Sequence, residues 1–383
     1  MRYQLRHGPA ARRADDTVYV NLGVHAQRAT CPTLLTLPSP GPRVDLAVQR
    51  MCGCQLRSVP VRNVTVSLVS GRATQIPTAT VGAADLDLIV EHWSGRIAQV
   101  LPDRPDIVVL PELFDRPHVS DRPAARSLVG AEVEAFARAK GTHVRDALAE
   151  LAAAHGTYIT YPSYRVGEEG EIYNSLEILG RDGAVVATYD KIVPTLGEVA
   201  GFVHPGHKVM AAELDFGRVS AAICFDLNFV QVRNAVAKVK PDLVLFPSAY
   251  HGGFVQSQWA LDCRAYLAGC VYPPNRSTIV NPAGTQIAST STYDFLLSHT
   301  INLDYVVVHL GYNTEKLGRL KAAYGPDVLI EDPGLVGMVV VSSRTPDRTA
   351  QEMIDEFDIQ DLDGYFADST AHLEGVEIGI QEF

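Results

Sequence analysis

Apolar residues follow two different spacings along the chain from Arg62 onward. They alternate with polar residues over 63–69, a pattern that predicts a half-buried strand. Over 85–100 they recur every three or four residues, which is typical of an amphipathic helix. Residues 106–110 form a short run, continuously apolar after Asp106, that indicates a strand buried on both faces.

The alternation of strand and helix patterns continues to about residue 303. Two Gly-containing turns, at 180–183 and 282–284, join neighbouring strands as hairpins, so we expect mixed sheets in an α/β domain. The hairpins follow comparable helix–strand units, which suggests two similar halves. Further predicted helices cover 131–154, 229–238 and 259–268, and further strands cover 157–161, 172–179, 184–189, 219–223, 242–246, 277–280, 286–290 and 295–303.

The two ends of the chain differ from this central part. Residues 1–60 contain eight arginines against three aspartates, with clustered prolines and little periodicity, so we expect a partly irregular N-terminal extension. Residues 61–310 form the predicted main domain. Residues 311–383 are polar and proline-interrupted, with one strand expected at 335–341. We interpret them as an irregular C-terminal tail that contacts other subunits.

Composition narrows the classes of function. The 383 residues are 46% hydrophobic and carry a formal net charge of −11, which argues against nucleic-acid binding. No apolar run approaches the roughly 20 residues that span a bilayer, so no membrane partner is expected. The N-terminal arginines precede no apolar signal segment, and we predict a cytoplasmic protein with reduced cysteines. Cys52-Gly53-Cys54 has no matching second pair, and we expect no metal site.

Three reactive side chains each follow a predicted core strand. Glu112 lies beyond 106–110, Lys191 beyond 184–189, and Cys224 directly after 219–223. Alone, each has an ordinary interpretation as a loop acid, a surface lysine or a buried thiol. In layered α/β proteins, however, ligands bind in the crevice beyond strand ends. Their shared position therefore favours a common site.

This combination of groups is suited to acyl transfer. A lysine cation lowers the pKa of a nearby thiol and favours the nucleophilic thiolate. A carboxylate can take the thiol proton and return it to a leaving amine. The lysine and a backbone N–H after the cysteine can stabilise an oxyanion. Together, Glu112, Lys191 and Cys224 suggest a thioester mechanism without a metal or organic cofactor.

Three segments resemble the signature regions of the nitrilase superfamily, the carbon–nitrogen hydrolases, in the same order. They are VVLPELF at 108–114, YDKI at 189–192 and AICFD at 222–226, and the resemblance covers about 60–305. It implies an α/β fold arranged as a four-layer αββα sandwich with mixed sheets. It also implies a homodimer or a larger homo-oligomer.

The resemblance assigns a role to each matching residue. Glu112 is implied as general base and acid, Lys191 as oxyanion stabiliser and Cys224 as nucleophile, while Phe225 supplies an oxyanion N–H. Many members carry a second glutamate soon after the lysine that orients it and the substrate. Glu198 is the best match to that glutamate, with a solvated loop acid as the alternative.

The residues after the cysteine bear on the substrate. Members similar to true nitrilases place Trp-Glu there, whereas Phe225-Asp226 resembles amidase-type branches. This favours hydrolysis of an amide or N-carbamoyl compound, with release of ammonia or an amine. The Arg-Arg pair of N-carbamoyl amino-acid hydrolases is replaced by Leu227-Asn228. A nitrilase and a catalytically silent relative remain alternatives.

Four further side chains are candidates for lining the substrate site. Two of them, Tyr250 and His251, follow a buried strand that we expect to neighbour the strand before Cys224. For one of them, His251, a solvated loop histidine is an equally good interpretation. The four are Tyr164, Asn228, Tyr250 and His251.

Overall fold

The computed structural model describes residues 62–121 and 124–381. The predicted extension 1–60, including Cys52-Gly53-Cys54, lies outside the described residues.

Strands and helices alternate through most of the described chain. The helices are α1 (Ala83–Ile97), α2 (Ala131–Lys140), α3 (His143–His155), α4 (Leu196–Ala200), α5 (Val230–Val239), α6 (Phe254–Cys263), α7 (Thr314–Tyr324), α8 (Ala350–Glu356) and α9 (Leu362–Thr370). The strands are β1 (Asn63–Val69), β2 (Gln75–Ile76), β3 (Ile107–Val109), β4 (His118–Val119), β5 (Arg126–Ser127), β6 (Tyr158–Val166), β7 (Ile172–Leu179), β8 (Val185–Asp190), β9 (Val203–His204), β10 (Ala212–Leu214), β11 (Gly217–Ala221), β12 (Leu243–Ser248), β13 (Tyr266–Val271), β14 (Thr278–Val280), β15 (Gln286–Ser289), β16 (Leu296–Asn302), β17 (Tyr305–His309), β18 (Val328–Glu331) and β19 (Met338–Ser343).

Two mixed sheets repeat one plan. The first has the order β16-β1-β3-β6-β7-β8, and the second has the order β10-β11-β12-β13-β14-β15. In each, three central strands are parallel, and the pairings on both sides of them are antiparallel. Helices cross over between the parallel strands, as parallel pairing requires. The two halves expected from the hairpins correspond to these sheets.

The sheets pack face to face, with helices on both outer sides. Because side chains alternate along a strand, Ile107 and Val109 of β3 face the second sheet while Val108 faces the helices. Trp93 of α1 packs in the layer outside the first sheet, and Trp259 of α6 in the layer outside the second. This arrangement is the four-layer αββα sandwich with mixed sheets that the motifs implied.

Two predicted helices need correction. The expected helix 131–154 is interrupted at Gly141, which adopts φ 49°, a left-handed conformation that glycine tolerates best. The expected helix 259–268 ends at Cys263, and Arg264 turns the chain with φ 53° into the buried strand β13. A short buried strand and a buried helix segment have similar apolar patterns, which accounts for the second error.

The C-terminal part is more ordered than the sequence suggested. Strands β17, β19 and β18 form a small antiparallel sheet, and α7 and α8 pack on it around the core residues Leu320, Val341 and Met353. The strand expected at 335–341 is present as β19. The prediction of an irregular tail from residue 311 is therefore wrong for 314–370. None of the helices in the described ranges is both long and apolar enough to cross a membrane.

Candidate active site

Cys224 lies at a sharp turn after β11. The strand ends at Ala221, and Cys224 begins a short 3-10 helix that leads into α5. Its φ is 48°, in the left-handed region that is strained for a residue with a Cβ. Only 8% of Cys224 is exposed. A strained turn that holds a nucleophile beyond a strand end is a known device for presenting it to a substrate.

Glu112 lies just beyond β3 and is buried. Its Oε1 accepts hydrogen bonds from Lys191 Nζ and from Asn174 Nδ2, both at 2.8 Å. Its Oε2 accepts a hydrogen bond from the backbone N–H of Ala249 at 3.0 Å. The next residue, Leu113, has φ 52°, so this strand also ends in a left-handed turn. These donors hold the carboxylate in one orientation.

Lys191 directly follows β8, and its ammonium lies between two carboxylates. It donates to Glu112 Oε1 at 2.8 Å and to Glu198 Oε2 at 2.7 Å. Burial alone would lower the pKa of Lys191, but the negative charges of Glu112 and Glu198 outweigh it and raise the pKa. Lys191 is therefore a cation throughout the neutral range.

Glu198 is positioned by the first turn of α4. Thr195 caps the helix by accepting the N–H of Glu198 at 3.2 Å, and the Thr195 N–H donates to Glu198 Oε2 at 2.8 Å. Asn174 Nδ2 donates to Glu198 Oε1 at 2.7 Å and so bridges this carboxylate to Glu112. The structure thus brings Glu112, Lys191 and Glu198 into one hydrogen-bonded network.

The thiol adjoins this network. Burial raises the pKa of Cys224 to about 12, and the charge of Glu112 adds to the rise. Lys191 acts in the opposite direction but does not outweigh them. Burial also acts to raise the pKa of Glu112, yet Lys191 holds it below its usual value. These directions favour a neutral thiol beside an ionised carboxylate, so the pKa of Cys224 is shifted upward and not downward as the nearby lysine led us to expect.

The other predicted residues lie at different distances from this network. Asn228 and Tyr250 share a hydrogen bond of 2.9 Å, and burial raises the pKa of Tyr250, with the charge of Glu112 adding to the rise. Asn228 also donates to the carbonyl of Phe225 at 3.1 Å. The ring of His251 instead accepts the N–H of Gly253 at 3.1 Å, a contact within its own loop.

A family model described as carbon-nitrogen hydrolase matches residues 72–307. The chain belongs to this family. Among curated relatives, the omega-amidase NIT2 of Xenopus tropicalis is 25% identical over 228 residues, which is 52% of this chain and 78% of the relative.

Solved structures share the fold of this carbon-nitrogen hydrolase. The carbon-nitrogen hydrolase from Helicobacter pylori G27 aligns with a TM-score of 0.52 and 15% identity, over 68% of this chain and 94% of that one. An amidase from Nesterenkonia sp. aligns with a TM-score of 0.50 and 21% identity, over 62% of this chain and 90% of that one.

The sequence analysis gave no site role to two residues of this family member that contact the site, Asn174 and Asp226. Asn174 contacts both carboxylates, and its backbone carbonyl accepts the N–H of Lys191 at 2.8 Å across the β7–β8 hairpin. Asp226 is fully buried and links the turn at Cys224 to the segment after Lys191. The hairpin register could have indicated Asn174, since it lies opposite Lys191. The link made by Asp226 has no comparable sequence signal.

A cavity of about 320 Å³ adjoins the network at Glu198. Tyr164 is buried in its wall, and its Oη accepts a hydrogen bond of 3.4 Å from Arg116. Burial raises the pKa of Tyr164, which keeps its hydroxyl neutral. The predicted residue Tyr164 thus contacts a cavity beside the site. The other residues that line this cavity are Arg116, Ser127, Leu128, Val129, Gly130, Val133, Thr195, Gly197, Glu198, Gly201 and Val203.

Proposed function

We propose that this carbon-nitrogen hydrolase cleaves amide or N-carbamoyl substrates through a thioester on Cys224. The observation that carries the proposal is the position of the Glu112 carboxylate, which accepts a 2.8 Å hydrogen bond from Lys191 and adjoins the thiol. The site thereby combines an acid–base group, a cation held in place and a nucleophile, each just beyond the end of a strand. Acyl transfer requires these three functions.

The first half of the reaction forms the acyl-enzyme. As Sγ of Cys224 bonds to the carbonyl carbon, the thiol proton moves to Glu112. Lys191 Nζ and the N–H of Phe225 stabilise the negative charge on the carbonyl oxygen. The C–N bond then breaks, and Glu112 gives the proton to the leaving ammonia or amine. A thioester remains on Cys224.

The second half regenerates the thiol. Glu112 takes a proton from a water that attacks the thioester carbonyl. The C–S bond breaks, the acid product leaves, and the proton returns to the sulfur. In each catalytic cycle Glu112 accepts a proton twice and releases it twice. Its orientation by Asn174 and Ala249 is therefore part of the mechanism.

The pKa values indicate when the first proton moves. The pKa of Cys224 is about 12, whereas that of Glu112 is below its usual value, so transfer before attack is strongly unfavourable. The transfer becomes favourable as the C–S bond forms, because the sulfur then shares its electrons with the carbonyl carbon and holds its proton less tightly. We therefore propose that proton transfer accompanies attack.

Glu198 has a positioning role in this proposal. It accepts a second hydrogen bond from Lys191, at 2.7 Å, so the ammonium does not pair with Glu112 alone. Its own orientation depends on the α4 cap at Thr195.

The preference for an amide over a nitrile is supported by Phe225-Asp226 after the nucleophile. It is also supported by the 25% identity to a relative named omega-amidase. Amides and N-carbamoyl compounds both present a carbonyl carbon attached to nitrogen, and the same steps apply to each.

A substrate panel with ammonia readout tests the proposal. Amides, N-carbamoyl compounds and matched nitriles are incubated with the wild type, Cys224→Ala and the control Cys263→Ala, which removes another buried thiol. We expect hydrolysis of an amide or carbamoyl compound that Cys224→Ala abolishes and Cys263→Ala retains. Turnover that survives in Cys224→Ala, or activity confined to nitriles, would contradict the proposal.

The intermediate can be sought directly. Glu112→Gln keeps the thiol but lacks the proton acceptor for both halves of the reaction, so an acyl-enzyme that forms should persist because no group deprotonates the attacking water. Intact-mass measurement after mixing with substrate should then show an acyl adduct, and peptide mapping should locate it on Cys224.

We also propose a homodimer or larger homo-oligomer in which 311–383 contributes contacts. Support comes from alternating exposed apolar residues near its end, Val376, Ile378 and Ile380. Light scattering on the full chain and on a chain ending at Leu373 tests this. The cytoplasmic location stays a prediction.

A further inference from the structure

A second cavity, of about 420 Å³, lies between the turn that separates α2 from α3 and the outer face of β6 and β7. Its volume is within the range of small-molecule sites. Of the described residues that line this cavity and the one at Glu198, Tyr164 alone lines both. Glu112, Lys191 and Cys224 do not line it. The second cavity is therefore separate from the catalytic network.

Glu177 of β7 places a buried carboxylate in the wall of this cavity, and only 7% of the residue is exposed. Its one ion pair in the described part of the chain joins Oε1 to Arg145 Nη1 at 3.7 Å, which is too long for a hydrogen bond. Burial raises the pKa of Glu177, although nearby cations, Arg145 foremost, act to lower it. A buried acceptor without a donor is costly, so a ligand that supplies a donor would be stabilised here.

Arg145 of α3 is a cation at the edge of the same cavity, with 29% of its side chain exposed. Its Nε and Nη2 reach the exposed carboxylate of the adjacent Asp146 at 3.4 and 3.3 Å, which are long distances for charged partners. Arg165 differs, because Asp190 accepts from it at 2.8 Å. A guanidinium has five N–H donors in a planar fork, so Arg145 has donors available for a carboxylate.

Lys140 adds a buried ammonium to this wall, with 3% of the residue exposed. Its Nζ donates to Tyr161 Oη at 3.0 Å and lies 3.5 Å from Asp115 Oδ2. An ammonium has three donors, so at least one is left for a ligand. The cavity wall thus presents one carboxylate that lacks a donor and two cations that have donors to give.

We infer that this second cavity binds an α-amino acid in its zwitterionic form. The ammonium of the ligand donates to Glu177, and its carboxylate accepts from Arg145 and Lys140. Both groups of an α-amino acid are attached to one carbon, which suits partners whose nearest atoms, on Glu177 and Arg145, are 3.7 Å apart. A simple anion would leave Glu177 without a donor, and a simple amine would leave Arg145 without an acceptor. The competing interpretation is a cavity that holds water alone.

Matched ligands separate these interpretations. The full-length wild type is screened by thermal shift against the standard L-α-amino acids, and calorimetry measures Kd for those that stabilise it. Each is compared with the carboxylic acid that lacks the amino group and with the amine that lacks the carboxylate. We expect at least one amino acid to bind, and both matched compounds to bind about tenfold more weakly or worse. Binding by no amino acid, or equal binding of the carboxylic acid, would overturn the inference.

Two variants locate the bound amino acid. Glu177→Gln removes the acceptor charge and Arg145→Gln removes the fork, so Kd should rise about 10- to 100-fold in each. Glu169→Gln, in the exposed turn between β6 and β7, and Arg319→Gln, at an exposed position of α7, make the same changes of charge and should leave Kd unchanged. The partial exposure of Arg145 means that Arg145→Gln should fold even if Glu177→Gln does not. An unchanged Kd in Arg145→Gln would place the amino acid elsewhere and overturn the inference.

Discussion

Tyr189 Oη donates a 2.7 Å hydrogen bond to Asp226 Oδ2, and this contact joins the two sides of the site. Tyr189 stands two residues before Lys191, and Asp226 stands two residues after Cys224. The same carboxylate accepts the N–H of Ile223 at 3.0 Å and the N–H of Val193 at 2.8 Å. One buried side chain therefore fixes both the turn at Cys224 and the chain that carries Lys191.

Removing the hydroxyl of Tyr189 should loosen this link. For Tyr189→Phe we expect the free energy of unfolding to fall by about 1–2 kcal/mol, because a buried charged acceptor loses one donor. We also expect kcat to fall more than KM rises, since Lys191 is less well positioned for the transition state. Chemical denaturation and steady-state kinetics check both effects. Tyr293→Phe, at a 94% exposed position, is the control and should change neither.

The raised pKa of the buried Asp226 should be visible in how the free energy of unfolding depends on pH. Burial raises its pKa to about 6, so the folded protein binds a proton here more tightly than the unfolded chain. Its contribution to stability is therefore complete below the unfolded pKa, about 4, and is lost as pH rises through about 6. Asp226→Asn lacks this titration. We expect the stability difference between wild type and Asp226→Asn to shrink by about 2–3 kcal/mol from pH 4 to pH 7.5. A difference that grows over this range would contradict the raised pKa.

The reactive groups were predictable because each stands where an apolar run ends and a family motif begins. Asn174 could have been found from the register of the predicted hairpin that precedes Lys191, whereas the role of Asp226 depends on packing across loops that no local pattern encodes. The direction of the pKa shift at Cys224 was also not foreseen. A nearby lysine indicated a lowered pKa, but burial and Glu112 dominate, and burial depends on the whole fold.

The prediction of one continuous helix over 131–154 was wrong because a single backbone angle interrupts it. The interruption at Gly141 depends on φ 49°, and no apolar spacing distinguishes it from a helical glycine such as Gly95 in α1. Each would have open space around an added Cβ, with no heavy atom within 4 Å. Conformation alone therefore separates these two glycines.

Replacing each of these two glycines with alanine should change the free energy of unfolding in opposite directions. Gly95→Ala should raise the free energy of unfolding by about 0.5–1 kcal/mol, because alanine loses less backbone entropy in a helix. Gly141→Ala should lower it by about 1 kcal/mol or more, because alanine is strained at positive φ. Denaturant titration of both variants measures the difference. Equal effects would mean that 131–155 forms a continuous helix in solution.

The raised pKa of Cys224 predicts how its thiol reacts with an alkylating agent. Only the thiolate reacts with iodoacetamide, so the rate at Cys224 should increase about tenfold per pH unit from pH 7 to pH 9 without a plateau. Peptide mapping by mass spectrometry follows Cys224 separately from the other cysteines. A plateau near neutral pH would show that Lys191 outweighs burial and Glu112 after all.

The contribution of Glu112 to this behaviour can be isolated. Its negative charge is one of the causes that raise the pKa of Cys224, so Glu112→Gln should shift the alkylation profile to lower pH. The same variant should lose turnover, because the proton acceptor is gone. Glu91→Gln makes the same change at an exposed position of α1 and should leave the profile in place. Faster alkylation with slower catalysis would separate the reactivity of the thiol from its use in the reaction. If Glu112→Gln leaves the profile where it is, the carboxylate does not act on the resting thiol, and the proton transfer proposed between them loses its support.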